Sequence, residues 1–144
     1  MAYDLDRFAV AQERVYAGAL GELRRGRKTG HWIWFIFPQI AGLGYSDMSR
    51  RYAIASLDEA RAYLADPLLG ARLRECAAAL LGTTRLTAED ILGATDAMKV
   101  RSSMTLFHRA APEEALFAQV LDRFYGGAPD AATDARLGEA PHET

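Results

Sequence analysis

His31-Trp32-Ile33-Trp34-Phe35-Ile36-Phe37-Pro38-Gln39 contains both tryptophans of the chain and two of its six phenylalanines. It runs into a glycine-broken loop, Gly42-Leu43-Gly44-Tyr45-Ser46. As a strand, it would turn Trp32, Trp34 and Ile36 to one face and Ile33, Phe35 and Phe37 to the other. As a helix, it would be apolar around its axis. Both readings bury it on more than one side. Local propensity favours a strand. No clear second strand pairs with it, however, and a lone strand leaves its backbone groups unsatisfied. We therefore read it as a short buried helix stopped near Pro38.

The segments on either side are helical. Leu5, Phe8, Ala9, Val15, Tyr16, Ala19, Leu20 and Leu23 recur at helical spacing, with Asp4 as the expected cap and Gly26 as the stop. Ser46 caps a short helix, and Ser56-Leu57-Asp58-Glu59 is a capping-box pattern. Asp66-Pro67 opens a helix carrying Leu69, Leu73, Cys76 and Leu80 and ending at Gly82. Thr87 opens a short helix, Thr95 one that reaches about Arg109, and Pro112-Glu113-Glu114 the last long one, ended by Gly126-Gly127. Capped helices joined by short links predict an all-α fold, a single compact multi-helical domain over 1–127. Residues 128–144, alanine-rich and mostly polar, are expected to be a loosely docked or disordered tail.

Composition narrows the function classes. A chain of 144 residues fits one domain and buries roughly 68–70% of its unfolded surface. A net charge of −2 argues against nucleic-acid binding by the whole surface. The cluster Arg24, Arg25, Arg27 and Lys28 reads first as cations at a helix C-terminus, second as an anion-binding patch. The single cysteine, Cys76, excludes an internal disulfide and a cysteine-rich zinc site, and points to the reducing cytoplasm. On an apolar helix face it reads as an inert core thiol. No apolar run reaches the ~18 residues of a membrane span. No spacing suits a metal, no glycine pattern a phosphate loop, and no cofactor is expected.

The second notable stretch is Asp96 to Phe107. Asp96, Lys99 and Ser103 share one helix edge, beside an apolar strip of Ala97, Val100, Met104 and Phe107, while Met98 and Leu106 point elsewhere. A helix apolar on several sides is central to a bundle, so its hydroxyls and charges need partners. One reading is a polar network that fixes helix register. The other is a pocket wall: Lys99 or Arg101 meets an anionic small molecule, Ser102 and Ser103 orient it, and Asp96 acts as base or orienter. His31 is a second acid–base candidate.

These residues carry a resemblance. Asp4-Leu5, Arg7-Phe8, Ala11-Gln12, His31-Trp32-x-Trp34-Phe35-Ile36-Phe37-Pro38-Gln39, Gly42-Leu43-Gly44, Ser102-Ser103 with Thr105-Leu106-Phe107, and the late Gly127, Asp130 and Thr133 resemble the domain-of-unknown-function 1810 family. The resemblance spans about residues 3 to 137 and implies a mainly helical fold with no settled activity. Members have carried a calpastatin-like label. An inhibitor of that kind would be a disordered repeat chain, whereas this sequence has a core. A more distant likeness, through Leu80-Leu81-Gly82-Thr83 and Ile91-Leu92-Gly93 with Asp96, is to the NAD- and ADP-ribose-associated proteins. It implies a ligand of ADP-ribose type and cleavage of an N-glycosidic bond. Trp32 or Trp34 would stack on a base or sugar, Arg101 or Lys99 would meet phosphate, and Asp96 or His31 would assist. That group's catalytic acid has no matching glutamate here. Gln39, at the edge of the aromatic stretch, completes the expected binding set. The rival expectation is an interaction module without catalysis, its aromatic motif serving only as core.

Overall fold

Helix α8, Ala94–Ala110, is the axis about which the other helices are arranged. In the computed structural model, which describes residues 3–138, it follows α1 (Asp6–Gln12), α2 (Tyr16–Arg25), α3 (Ile33–Ile36), α4 (Asp47–Arg51), α5 (Leu57–Ala65), α6 (Leu69–Leu81) and α7 (Ala88–Leu92), and precedes α9 (Ala115–Tyr125) and α10 (Ala131–Leu137). Helices α3, α5, α7, α9 and α10 all touch α8. Its buried residues therefore run round its circumference: Ala97, Val100, Ala110 and everything from Ser102 to Phe107. The all-α expectation holds, and among the described residues no strand forms.

A row of aromatic rings ties the helices together. Phe8 of α1 stands edge-on to Tyr63 of α5, with centroids 5.2 Å apart. Tyr63 meets Phe107 of α8 at 5.4 Å, and Phe107 meets Phe117 of α9 at 5.9 Å. Such pairs contribute about 0.5–1.5 kcal/mol each beyond the area they bury. The buried Gln12 satisfies the polar groups beside this row. Its amide donates to the Phe35 carbonyl at 2.7 Å and the Tyr63 hydroxyl at 3.2 Å, and its oxygen accepts from Arg72 at 3.3 Å.

The aromatic stretch forms a single helical turn, α3, closed by the Phe37 amide on the Ile33 carbonyl and stopped by Pro38. The chain then makes one isolated parallel bridge, Ile40 with Ile54. The Ile54 amide donates to Gln39 and the Ala41 amide to Ile54, each at 2.8 Å. Pairing thus exists beside the stretch, but from a lone residue with no strand pattern around it.

Several local expectations need correction. The first helix is two: it breaks after Gln12, because α1 packs on α3 whereas α2 packs on α6. Leu5, not Asp4, occupies the N-cap, with no side-chain bond. Gly26 does end α2, in the left-handed conformation at φ 78°. Helix α8 starts at Ala94 behind Gly93 rather than at a Thr95 cap. The last long helix starts at Ala115, because the Glu114 carboxylate is held by Arg74 at 2.6 and 3.1 Å. Ser46, Ser56 and Thr87 cap as expected. Gly70 sits where α6 meets the end of α5, and a Cβ there would press into the Leu64 carbonyl.

The expected limit at residue 127 is not where packing stops. Asp130 caps α10, and Thr133 is fully buried against Ser102 of α8, hydroxyl to hydroxyl at 2.7 Å. Asp134 pairs with Arg109 at 2.8 Å. Polar side chains dock this helix where the apolar pattern is too thin to announce it. The part of the expected tail from 139 to 144 lies outside the described residues.

Candidate functional site

Where α3 meets the start of α8, both indoles lie beside an ammonium group. Lys28 Nζ is 5.0 Å from the Trp32 ring centroid, and Lys99 Nζ is 4.8 Å from that of Trp34. Asp96 joins the two cations, 2.7 Å from Lys28 and 3.3 Å from Lys99. Lys28 is nearly buried and also donates to the Gly30 carbonyl at 2.5 Å. Lys99 is the more exposed of the two cations and stands at the surface.

Trp32 is held from behind. The Glu22 carboxylate accepts from its indole at 2.9 Å and from the amides of Thr29 and Gly30 at 2.8 and 2.9 Å. Burial works against ionisation of Glu22, but these donors outweigh it and hold the carboxyl at about 2. The Lys28 segment is thereby fixed on both sides of the Trp32 ring.

Trp34 differs from Trp32. Trp32 is 2% exposed and cannot stack on a ligand, whereas Trp34 is half-buried and lines a groove. The groove has two chambers. The larger, of about 380 Å³, is lined by Trp34, Leu43, Tyr45, Thr95, Met98 and Lys99 among others. The smaller, of about 190 Å³, adds Ser102, Asp130 and Ala132. Gln39, Leu43, Met98 and Lys99 line both, so the two adjoin. Tyr45 and Met98 are 83% and 66% exposed and form an apolar lip.

The expected residues thus divide. Trp34, Gln39, Lys99 and Ser102 converge on the groove. Trp32 is core. Ser103 is fully buried, and its hydroxyl finds no hydrogen-bond partner among the described residues. Arg101 does not line the groove: its guanidinium donates to the Ala128 carbonyl at 3.0 Å and lies over Tyr125. His31 is exposed and lines neither chamber. Asp96, clamped between two lysines, positions Lys99 and is not poised as a free base. Leu43, Tyr45, Met98 and Lys28 were not in the expected set. Met98 could have been suspected as the one large apolar group on the exposed edge of a central helix. Lys28 stood in the basic cluster with its second reading as an anion-binding patch, but nothing in the sequence tied it to Asp96.

Other features carry less chemistry. A separate depression of about 500 Å³ holds Arg61, Arg74 and Glu114, but Arg74 is spent on Glu114, and Arg61 on Asp58 and the Ala110 carbonyl. Cys76 is fully buried, and burial pushes its thiol up to about 12, which makes it unreactive. Among the described residues no cluster of His, Cys, Asp and Glu could hold a metal ion. No helix there is long and apolar enough to cross a membrane.

A family described as "Protein of unknown function (DUF1810)" matches residues 2–137. The crystal structure of the conserved hypothetical protein Rv1873 from Mycobacterium tuberculosis superposes with a TM-score of 0.93 at 47% identity, covering 95% of this chain and 98% of that one. No curated protein matches the chain. These relatives lend no support to the likeness to NAD- and ADP-ribose-associated proteins.

Proposed function

This chain belongs to the DUF1810 family, and we propose that its groove binds a nucleotide-like anionic small molecule. The observation that carries this reading is the pairing of a half-exposed indole, Trp34, with the Lys99 ammonium in a concave site. An indole face offers stacking to a flat ring. The ammonium beside it meets phosphate. Asp96 keeps Lys99 in place, and the second lysine, Lys28, offsets that carboxylate's charge. The reading is one of binding. The acid–base candidates named from the sequence are engaged, as Asp96 is, or outside the groove, as His31 is. We place the protein in the cytoplasm on the strength of its lone cysteine, which forms no disulfide.

A non-catalytic interaction module is the second reading, favoured by the burial of Trp32, Ile33, Ile36 and Phe37 as plain core. Thermal melts with AMP, ADP and ADP-ribose separate the two. Ligand at 100 times its Kd stabilises by about 2.7 kcal/mol. Trp34→Ala and Lys99→Met are expected to abolish that stabilisation while the proteins remain folded. No shift with any of the three would overturn the binding reading.

A further inference from the structure

The geometry points to Asp130 as a specificity-determining residue that makes the smaller chamber a subsite for a hydroxyl-bearing group, such as a sugar, attached beyond the ligand's anionic centre. This inference rests on the binding reading above. The three parts of the groove follow one another in space. The Trp34 face lies in the larger chamber, Lys99 lines both chambers, and Asp130 lines only the smaller. A ligand stacked on Trp34 with its phosphate at Lys99 therefore has whatever it carries next beside Asp130.

Proton positions in the wall define what that chamber accepts. Thr133 Oγ1 is 2.6 Å from Asp130 Oδ2, and an ionised carboxylate only accepts, so the single Thr133 proton points there. Ser102 Oγ is 2.7 Å from the same Thr133 oxygen and therefore donates its own proton to it. The relay runs from Ser102 to Thr133 to Asp130, and both Ser102 and Thr133 are at least 98% buried. Asp130 Oδ2 also accepts the Thr133 amide at 2.9 Å, while Oδ1 has no hydrogen-bond partner among the described residues. The Ser102–Asp130 side of the wall thus offers acceptors, beside the donors of Gln39 and Lys99, and the Asp130 carboxylate is not ion-paired with Lys99. Acceptors bind hydroxyl donors, and a carboxylate repels a further phosphate. A volume of about 190 Å³ admits one sugar ring.

Titration calorimetry with ADP, ADP-ribose and ATP tests this. ADP-ribose is expected to bind more tightly than ADP. Asp130→Asn keeps a capping side chain for α10, but its amide turns a donor to the chamber. It should weaken ADP-ribose about tenfold or more, leave ADP unchanged, and tighten ATP by removing the repulsion. Ala132→Leu, at an exposed helix position lining the chamber, should weaken ADP-ribose alone by filling the space, and serves if Asp130→Asn does not fold. Equal affinity for ADP and ADP-ribose, or an equal effect of the variants on both, overturns the sugar subsite and leaves the groove reading standing. No binding of any nucleotide to the unaltered protein overturns both.

Discussion

The Lys28 ammonium lies 2.7 Å from Asp96 Oδ2, joining the segment after α2 to the first turn of α8, with the lysine side chain 8% exposed. This ion pair sets the height of the Trp32 ring on one side and the reach of Lys99 on the other. It is an architectural contact before it is a functional one. A buried charge that loses its partner is costly, whereas a pair removed together is much less so.

Asp96→Asn and Lys28→Met are each expected to destabilise the protein by about 3 kcal/mol. The double variant should lose clearly less than the sum of the two, because neither charge is then left alone. Urea unfolding of the three variants measures this. Strict additivity would show that the pair is not coupled.

Glu22 makes stability depend on pH at the acid end. Its carboxyl is held at about 2 in the folded chain, against an ordinary value of 4.5. Between those values the unfolded chain binds more protons, so stability rises with pH. The contribution is complete above about 4.5 and is lost as pH falls toward 2. Glu22→Gln should be less stable at neutral pH, and its stability should fall less than that of the parent across this window. Denaturant midpoints measured from pH 5 to pH 2.5 decide it, and parallel curves for the two proteins would sink it.

Thr133→Val keeps the shape of a fully buried residue but removes the hydroxyl between Ser102 and Asp130. The loss is expected to be about 1–3 kcal/mol, since Ser102 is left with an unsatisfied buried proton. Truncation after Gly127 should cost more, because it also strips Asp134 from Arg109. Thermal unfolding reads both. A truncated chain as stable as the parent would show that α10 contributes nothing to the domain.

Much of the site was within reach of the sequence because it sits on one helix. Asp96, Lys99 and Ser102 are separated by helical steps, so their neighbourhood follows once α8 is recognised. Gln39 and Trp34 were legible as the edges of an unusual motif. Which of two tryptophans faces solvent was not, since Trp32 caps and Trp34 lies within the same short turn, and the two differ in what covers them. Asp130 had a readable sign, an aspartate three residues before a threonine at a helix start, but a cap does not reveal which groove it borders.

The sequence by itself determined the helical class, most of the caps and stops, the burial of the aromatic stretch and the central place of α8. These depend on periodicity and on side chains acting within one turn, which are local properties. Only the tertiary structure decided that Lys28 meets Asp96, that Arg101 turns away toward Ala128, that Ile54 pairs with Ile40, and that the chain after Gly127 docks. Each of these joins residues far apart in the chain through a few polar contacts at most. Such a contact leaves no periodic trace, because its partner is selected by the packing of whole helices and not by its neighbours in sequence.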